Sequence, residues 1–287
     1  MRIDMLGPFS ARINGIDITP TAAKRCQILA LLALNADRVV SKSTLFRELW
    51  ADNPPASAAT TLQTYIHQLR RLIDRALSDL GDGRTSRDIL TTERNGYALR
   101  LGGGTTDVPE FHQLSRAGTA AFESGDMQTA SDLLSRALAL WRAPLLAGIQ
   151  VGPVLSLDAL TLDDLRVAAL NRRIEADLHL GRHHEVLGEL RALATENPIN
   201  ETFAAHYMVS LYQAGQVRTA LEEYQRIRST LIDELGIEPT PRLRRLQKVI
   251  LSGGRPLEEQ AQPDWGPEAA TVVAPALRRA PAVDDRR

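Results

Sequence analysis

The stretch from Ala56 to Leu80, ASAATTLQTYIHQLRRLIDRALSDL, decides how the rest of the chain is read. Leu62, Ile66, Leu69, Ile73 and Leu77 recur at steps of four, three, four and four, which is one stripe of an α-helix. The opposite face carries Ser57, Thr60, Thr64, His67, Gln68, Arg71 and Arg75. A solvated face normally mixes Glu and Asp among its cations, yet no acidic residue occurs between Ser57 and Arg71. Hydroxyl, amide, imidazole and guanidinium groups without carboxylates suit a polyanion. At ~1.5 Å per residue the first five turns span roughly 27 Å, enough to lie along a DNA major groove.

The neighbouring segments supply the setting. Toward the N-terminus, Asp52-Asn53-Pro54-Pro55 forbids helix continuation and forms a tight turn. Before it, Ser41 is the N-cap of a helix ending near Trp50, with Val40 and Leu45 as a hydrophobic staple. Thr21 caps an earlier helix running to about Asn35, whose sequence AAKRCQILALLALN is apolar on most sides and predicts burial on more than one face. Arg2 to Leu6 reads as a strand. Phe9, Ala11 and Ile13 alternate with polar residues, and Asn14-Gly15 signals a type I′ turn into Ile16 to Ile18. Toward the C-terminus, Gly81 to Ser86 is a polar loop. Ile89 to Arg94, an Asn95-Gly96 turn and Tyr97 to Leu101 then form a hairpin with Leu90 and Thr92 facing Leu101 and Leu99. Strands, three helices and a hairpin in this order make a winged helix-turn-helix, the hairpin being the wing.

The run TTLQTYIHQLRRLI from Thr60 to Ile73, followed by ERNGYALRL from Glu93 to Leu101, resembles the response-regulator-type winged helix of the Streptomyces antibiotic regulatory protein family. That resemblance implies that the helix from Ser57 enters the major groove. It also implies that the wing, with Arg94 and Asn95 near its tip, approaches the backbone or the adjacent minor groove. Response regulators place a phosphoacceptor domain ahead of this module; here the module begins at residue 1, so direct control by aspartate phosphorylation is not expected. On the helix itself, Arg70 and Arg71 are candidates for guanine edges or phosphates, and Gln63, Thr64, His67 and Gln68 for bases. Thr60 and Thr61, and Lys42 and Ser43 opening the shorter helix, are candidates for phosphate.

Gly102-Gly103-Gly104-Thr105-Thr106 reads as a flexible joint, beyond which the chain becomes helical and mildly acidic. Gly181 and Gly215 lie 34 residues apart. Val186 and Ala220 fall five after them and Leu190 and Tyr224 nine after; around Gly125 the same offsets give Ala130 and Leu134. That period marks tetratricopeptide-like helical hairpins, three in all, the first separated by an insertion containing Pro144, Gly148, Gly152 and Pro153. SRALALWRAPLLAGI, Ser135 to Ile149, and YQRIRSTLIDELGIEPTPRLRRL, Tyr224 to Leu246, resemble the bacterial transcriptional activation domain of the same family. Where the family pattern has Gly after the Arg near Trp141, this chain has Ala143. From Ser252 the chain is rich in Pro, Gly, Ala and charge without a sustained period, and a disordered tail with a solvated Trp265 is expected.

The predicted fold is mainly α: a winged helix-turn-helix domain with a small sheet over residues 1–101, a linker at 102–106, an all-α helical-repeat activation domain over 107–251, and a tail over 252–287. Residues 1–101 carry fourteen Lys and Arg against ten Asp and Glu, and the remainder twenty against twenty-five, so the two parts present different surfaces. The one cysteine, Cys26, excludes an internal disulfide and a multi-Cys zinc site. No signal peptide or membrane span is legible, and a cytoplasmic location is expected. No Lys follows a Gly, so the GxxxxGK[ST] phosphate loop is missing. His179, His183 and His184 crowd one region, but Gly181 interrupts any helix that would align them, and surface histidines are expected rather than a metal site. An enzyme, a cofactor and a metal are therefore not expected. By resemblance, the chain is expected to be a transcriptional activator of a secondary-metabolite gene cluster, binding promoter direct repeats as a pair of protomers and holding RNA polymerase there. A promoter-occluding repressor and a protein-interaction adaptor without DNA readout remain the alternatives.

Overall fold

The computed structural model describes residues 1–78 and 83–256. The expected end of the long helix at Leu80, the start of the following loop and the tail beyond Pro256 lie outside the described residues. The chain divides into two compact units, one of 1–113 with 139–163, the other of 114–138 with the residues from 164 onward.

The first unit opens with β1 (Arg2–Asp4), β2 (Ser10–Ile13) and β3 (Ile16–Asp17). Asn14 and Gly15 both take positive φ, 47° and 89°, which is what the two centre positions of a type I′ turn require. Helix α1 (Ala23–Leu34) follows, buried without a break from Cys26 to Ala33 as its composition predicts. Its N-cap is Ala22, with no side-chain cap, so Thr21 does not play the expected role. Two-residue β4 (Val40–Ser41) leads into α2 (Lys42–Trp50), where the Ser41 hydroxyl accepts from Thr44 N at 3.0 Å. The long helix is α3 (Ala58–Ser78), and its stripe Leu62, Ile66, Leu69 and Ile73 is at most 2% exposed.

Between the expected loop, ending at Ser86, and the expected strand, opening at Ile89, residues 86–89 form a short helix α4 (Ser86–Ile89), so that Ile89 is helical; it is tied to α3 by Asp74, which accepts from Ser86 N and Ser86 Oγ, both at 2.8 Å. Strands β5 (Leu90–Glu93) and β6 (Gly96–Leu99) make the wing, with Leu90 opposite Leu99 and Thr92 opposite Tyr97. The register is two residues away from the predicted one, and the turn residues are Arg94 and Asn95. An even slip keeps every side chain on its predicted face. The cause is β4, which pairs with β6 in the order β4-β6-β5. A Cβ on Gly96 would overlap the Val40 carbonyl, whose carbon would lie 2.8 Å away, so Gly96 serves strand packing rather than the turn.

The segment expected as a joint enters the first sheet: β7 (Thr105–Thr106) runs parallel to β1, giving the order β3-β2-β1-β7. Helix α5 (Asp107–Glu123) begins directly after it. The Asp107 carboxylate accepts from Met5 N at 2.8 Å, Leu6 N at 2.9 Å and Arg142 Nη2 at 2.9 Å. Arg142 N and Leu146 N donate in turn to Leu6 O and Met5 O, each at 2.9 Å. Positive φ in this segment falls on Leu146 and Gly148, not on Ala143, so alanine fits where the family pattern has glycine.

The second unit holds α6 (Met127–Ala139) up to Leu138, α8 (His183–Glu196), α9 (Glu201–Gln213), α10 (Val217–Leu235) and α11 (Pro241–Leu251), together with parts of α5 and of α7 (Pro153–His179). The 34-residue period is explained by the hairpin turns. Gly125, Gly181 and Gly215 have φ of 83°, 76° and 76°. Each donates to the carbonyl three residues back, and the residue after it to the carbonyl five back: Asp126 to Ala121, Arg182 to Asp177 and Gln216 to Leu211. This is one helix-terminating motif used three times. Leu178, Val186, Leu190, Met208, Val209, Tyr224, Ile227, Leu231, Leu243, Leu246 and Ile250 form the core of this unit.

Candidate nucleic-acid interface

With its apolar stripe buried, α3 has one orientation available, and the acid-free face is turned outward. Thr60, Gln63, Thr64, His67 and Arg71 are exposed, and Thr61 and Gln68 half-buried at its margins. Thr64 Oγ1 donates back to Thr60 O at 3.0 Å, which fixes its rotamer and leaves the oxygen as an acceptor. The first acid on the helix, Asp74, is used to hold α4. At the start of α2, Ser43 Oγ lies 2.7 Å from Ser41 Oγ and Lys42 N donates to Asn95 O at 3.0 Å, so the opening of α2 and the tip of the wing share a backbone hydrogen bond. Arg94 and Asn95 are exposed at that tip. The Lys24 ammonium donates to Leu49 O, joining α1 to the end of α2.

Arg70 departs from expectation. Its Nε donates to Leu90 O at 3.0 Å, and its Nη2 to Leu90 O at 2.6 Å and to Thr92 Oγ1 at 2.8 Å. The guanidinium is half-buried, and burial, followed by the charge of Arg87, draws its pKa below the usual value. Three of its five N–H donors thus serve the wing, whereas Arg71, the next residue, is exposed. Adjacent numbers on a helix point about 100° apart, which separates the two side chains. Arg87, exposed on α4, adds a cation that sequence reasoning missed because α4 itself was not foreseen.

Among the described residues no group of three or more His, Cys, Asp or Glu side chains is arranged to hold a metal ion, and no helix is long and apolar enough to cross a membrane. The rings of His183 and His184 lie 4.3 Å apart at 49°.

Residues 16–99 match the family model described as transcriptional regulatory protein, C terminal, and residues 106–251 match the bacterial transcriptional activator domain. Regulatory protein DnrI of Streptomyces peucetius is 40% identical over 277 residues, covering 96% of this chain and all of DnrI. The chain belongs to the Streptomyces antibiotic regulatory protein family. A second relative, regulatory protein AfsR of Streptomyces coelicolor, is 34% identical over 90% of this chain, which spans a quarter of AfsR. A solved structure of Mycobacterium tuberculosis EmbR in complex with a low affinity phosphopeptide superposes with a TM-score of 0.79 at 32% identity, over 88% of this chain and 65% of that one. As a member of this family the protein is a transcriptional regulator, and its relatives' names point away from an enzyme.

Proposed function

We propose that this regulator reads promoter DNA with the exposed face of α3 and activates transcription of a secondary-metabolite gene cluster. The observation that carries the reading is that the acid-free polar face lies outside while the apolar stripe is buried, with Lys42, Ser43, Arg94 and Asn95 at the two flanking elements. Gln63, Thr64, His67, Gln68 and Arg71 contact bases, Arg71 supplying a bidentate donor to guanine; Thr60, Thr61, Lys42, Ser43 and the wing tip contact phosphate. DNA reading belongs to residues 1–101. Residues 107–251, matched by the activator-domain model, hold RNA polymerase holoenzyme at the promoter. A pair of protomers occupies direct repeats, and the protein works in the cytoplasm.

The test is a gel shift on promoter fragments of the cluster that contains its gene, followed by transcription in vitro with polymerase holoenzyme. Arg71→Ala is expected to weaken binding by about 1–3 kcal/mol, or roughly 5- to 150-fold, at unchanged fold. Affinity is expected to fall steeply with salt, at a slope of about 0.9 per neutralised phosphate. Binding that ignores both the substitution and salt refutes the reading; binding that lowers transcription makes the protein a repressor.

A further inference from the structure

Strand β5 is an edge of the three-stranded wing sheet, and an edge strand leaves alternate carbonyls unpaired. Arg70 covers that edge: its fork closes on Leu90 O through Nε and Nη2 and on Thr92 Oγ1 through Nη2. On the far edge, β4 and Lys42 N grip β6 and the turn. The wing is therefore clamped by the two helices of the helix-turn-helix, from α2 on one side and α3 on the other. We infer that Arg70 is a positioning residue, which sets the angle between wing and recognition helix so that both meet DNA at once. The DNA half of this inference rests on the function proposed above.

The lever makes the point quantitative. From Leu90 to the turn at Arg94 the hairpin projects ~13 Å at ~3.3 Å per residue, so a ~10° swing about its base moves the tip by ~2 Å. That exceeds the ~0.5 Å tolerance within which a binding constellation stays productive. Arg70 on the β5 edge, together with β4 and the Lys42–Asn95 bond on the other, limits that swing and so controls wing contacts without touching DNA.

The experiment uses the full chain and three variants. Arg70→Met keeps the packing of the stem and removes the fork; Arg70→Lys restores one donor; Thr92→Val removes only the hydroxyl. In the protein without DNA, hydrogen exchange is followed across the wing and across α1 and α3. Arg70→Met is expected to speed exchange in β5 and β6 about tenfold, with Arg70→Lys and Thr92→Val intermediate and α1 unchanged. On a promoter fragment that the native protein binds, hydroxyl-radical footprinting should lose protection on the flank under the wing, while guanine N7 protection under α3 persists. Unchanged wing exchange in Arg70→Met overturns the inference. So does loss of one guanine contact with wing protection intact, which would make Arg70 a base reader. If Arg70→Met does not fold, Thr92→Val decides by the same two readouts, about threefold faster wing exchange supporting the inference and native exchange overturning it. If the native protein binds no promoter, the DNA reading falls, and the exchange measurement still decides whether Arg70 holds the wing.

Discussion

Glu48 offers the sharpest test of how the winged unit is held. It lies on α2, is 1% exposed, and ends at the start of α7. Its Oε1 accepts from Gly152 N at 2.5 Å, and its Oε2 from Val154 N at 3.0 Å and Leu155 N at 2.9 Å. These are the first orphan donors of α7; Pro153 has none to offer. A side chain on residue 152 would ordinarily cap this helix, but a Cβ there would come within 2.8 Å of both the backbone carbon and Cδ of Glu48. The cap is thus supplied from 104 residues away. Glu48→Gln keeps the shape and one acceptor, loses the charge facing the helix dipole, and sets an NH2 against a backbone N–H. A lost cap costs about 0.5–2 kcal/mol and a charged hydrogen bond about 1.5–3, overlapping rather than additive, so about 2 kcal/mol is expected. Glu48→Ala strands all three donors and should cost about 3–5 kcal/mol. Urea unfolding followed by tryptophan fluorescence is suited to this, because Trp50 and Trp141 both lie in the winged unit. A shift below about 0.3 kcal/mol for Glu48→Gln at unchanged m-value would refute the capping argument.

Three further outcomes follow from the geometry. Gly96→Ala drives a methyl group into the Val40 backbone, which has no flexible end to yield, and should cost about 1–3 kcal/mol and deprotect Val40 and Lys42 amides in hydrogen exchange. Asp177, 6% exposed, accepts from Ser131 Oγ at 2.6 Å, Arg182 Nη1 at 3.2 Å and Arg173 Nη1 at 3.3 Å; Asp177→Ala should destabilise the helical unit by about 3–5 kcal/mol in a denaturant titration followed by circular dichroism. His206 is fully enclosed, and burial, aided by the charge of Arg242, lowers its pKa from 6.5 to about 3. Unfolding lets it take up a proton between those values, so the helical unit loses stability as pH falls below 6.5. The loss at pH 5 should be about 2 kcal/mol, absent in His206→Gln, as read by unfolding at pH 7.5 and 5.0.

The features legible in sequence are those whose causes are local. The steps of four and three that mark α3 reappear as its buried stripe, the Asn14-Gly15 pair as its turn, the Ser41 cap as a bonded hydroxyl, and the 34-residue glycine period as three equivalent helix ends. What escaped has distant causes. Asn95-Gly96 carries the same turn signal as Asn14-Gly15, but β4 crowds Gly96 and moves the turn back by one residue. Strands β4 and β7 are two residues long and have no period to read. Glu48 and Asp107 bond to partners more than a hundred residues away, so nothing around them announces their roles. Within the candidate interface, the exposed face was legible from periodicity, whereas the turning of Arg70 toward the wing depends on where β5 lies.

The folded winged unit takes its residues from two separate pieces of chain, 1–113 and 139–163. Recombination between genes of this family thus has uneven consequences along its length. A crossover after Leu101 would inherit α2 from one parent and the start of α7 from another, so Glu48 and Gly152 would have to agree across the junction, and Asp107 of one parent would have to meet the Met5 and Leu6 amides of the other. Functional hybrids should accordingly carry breakpoints on both sides of the intervening hairpin, or arise only between parents that already match at Glu48, Gly152 and Asp107.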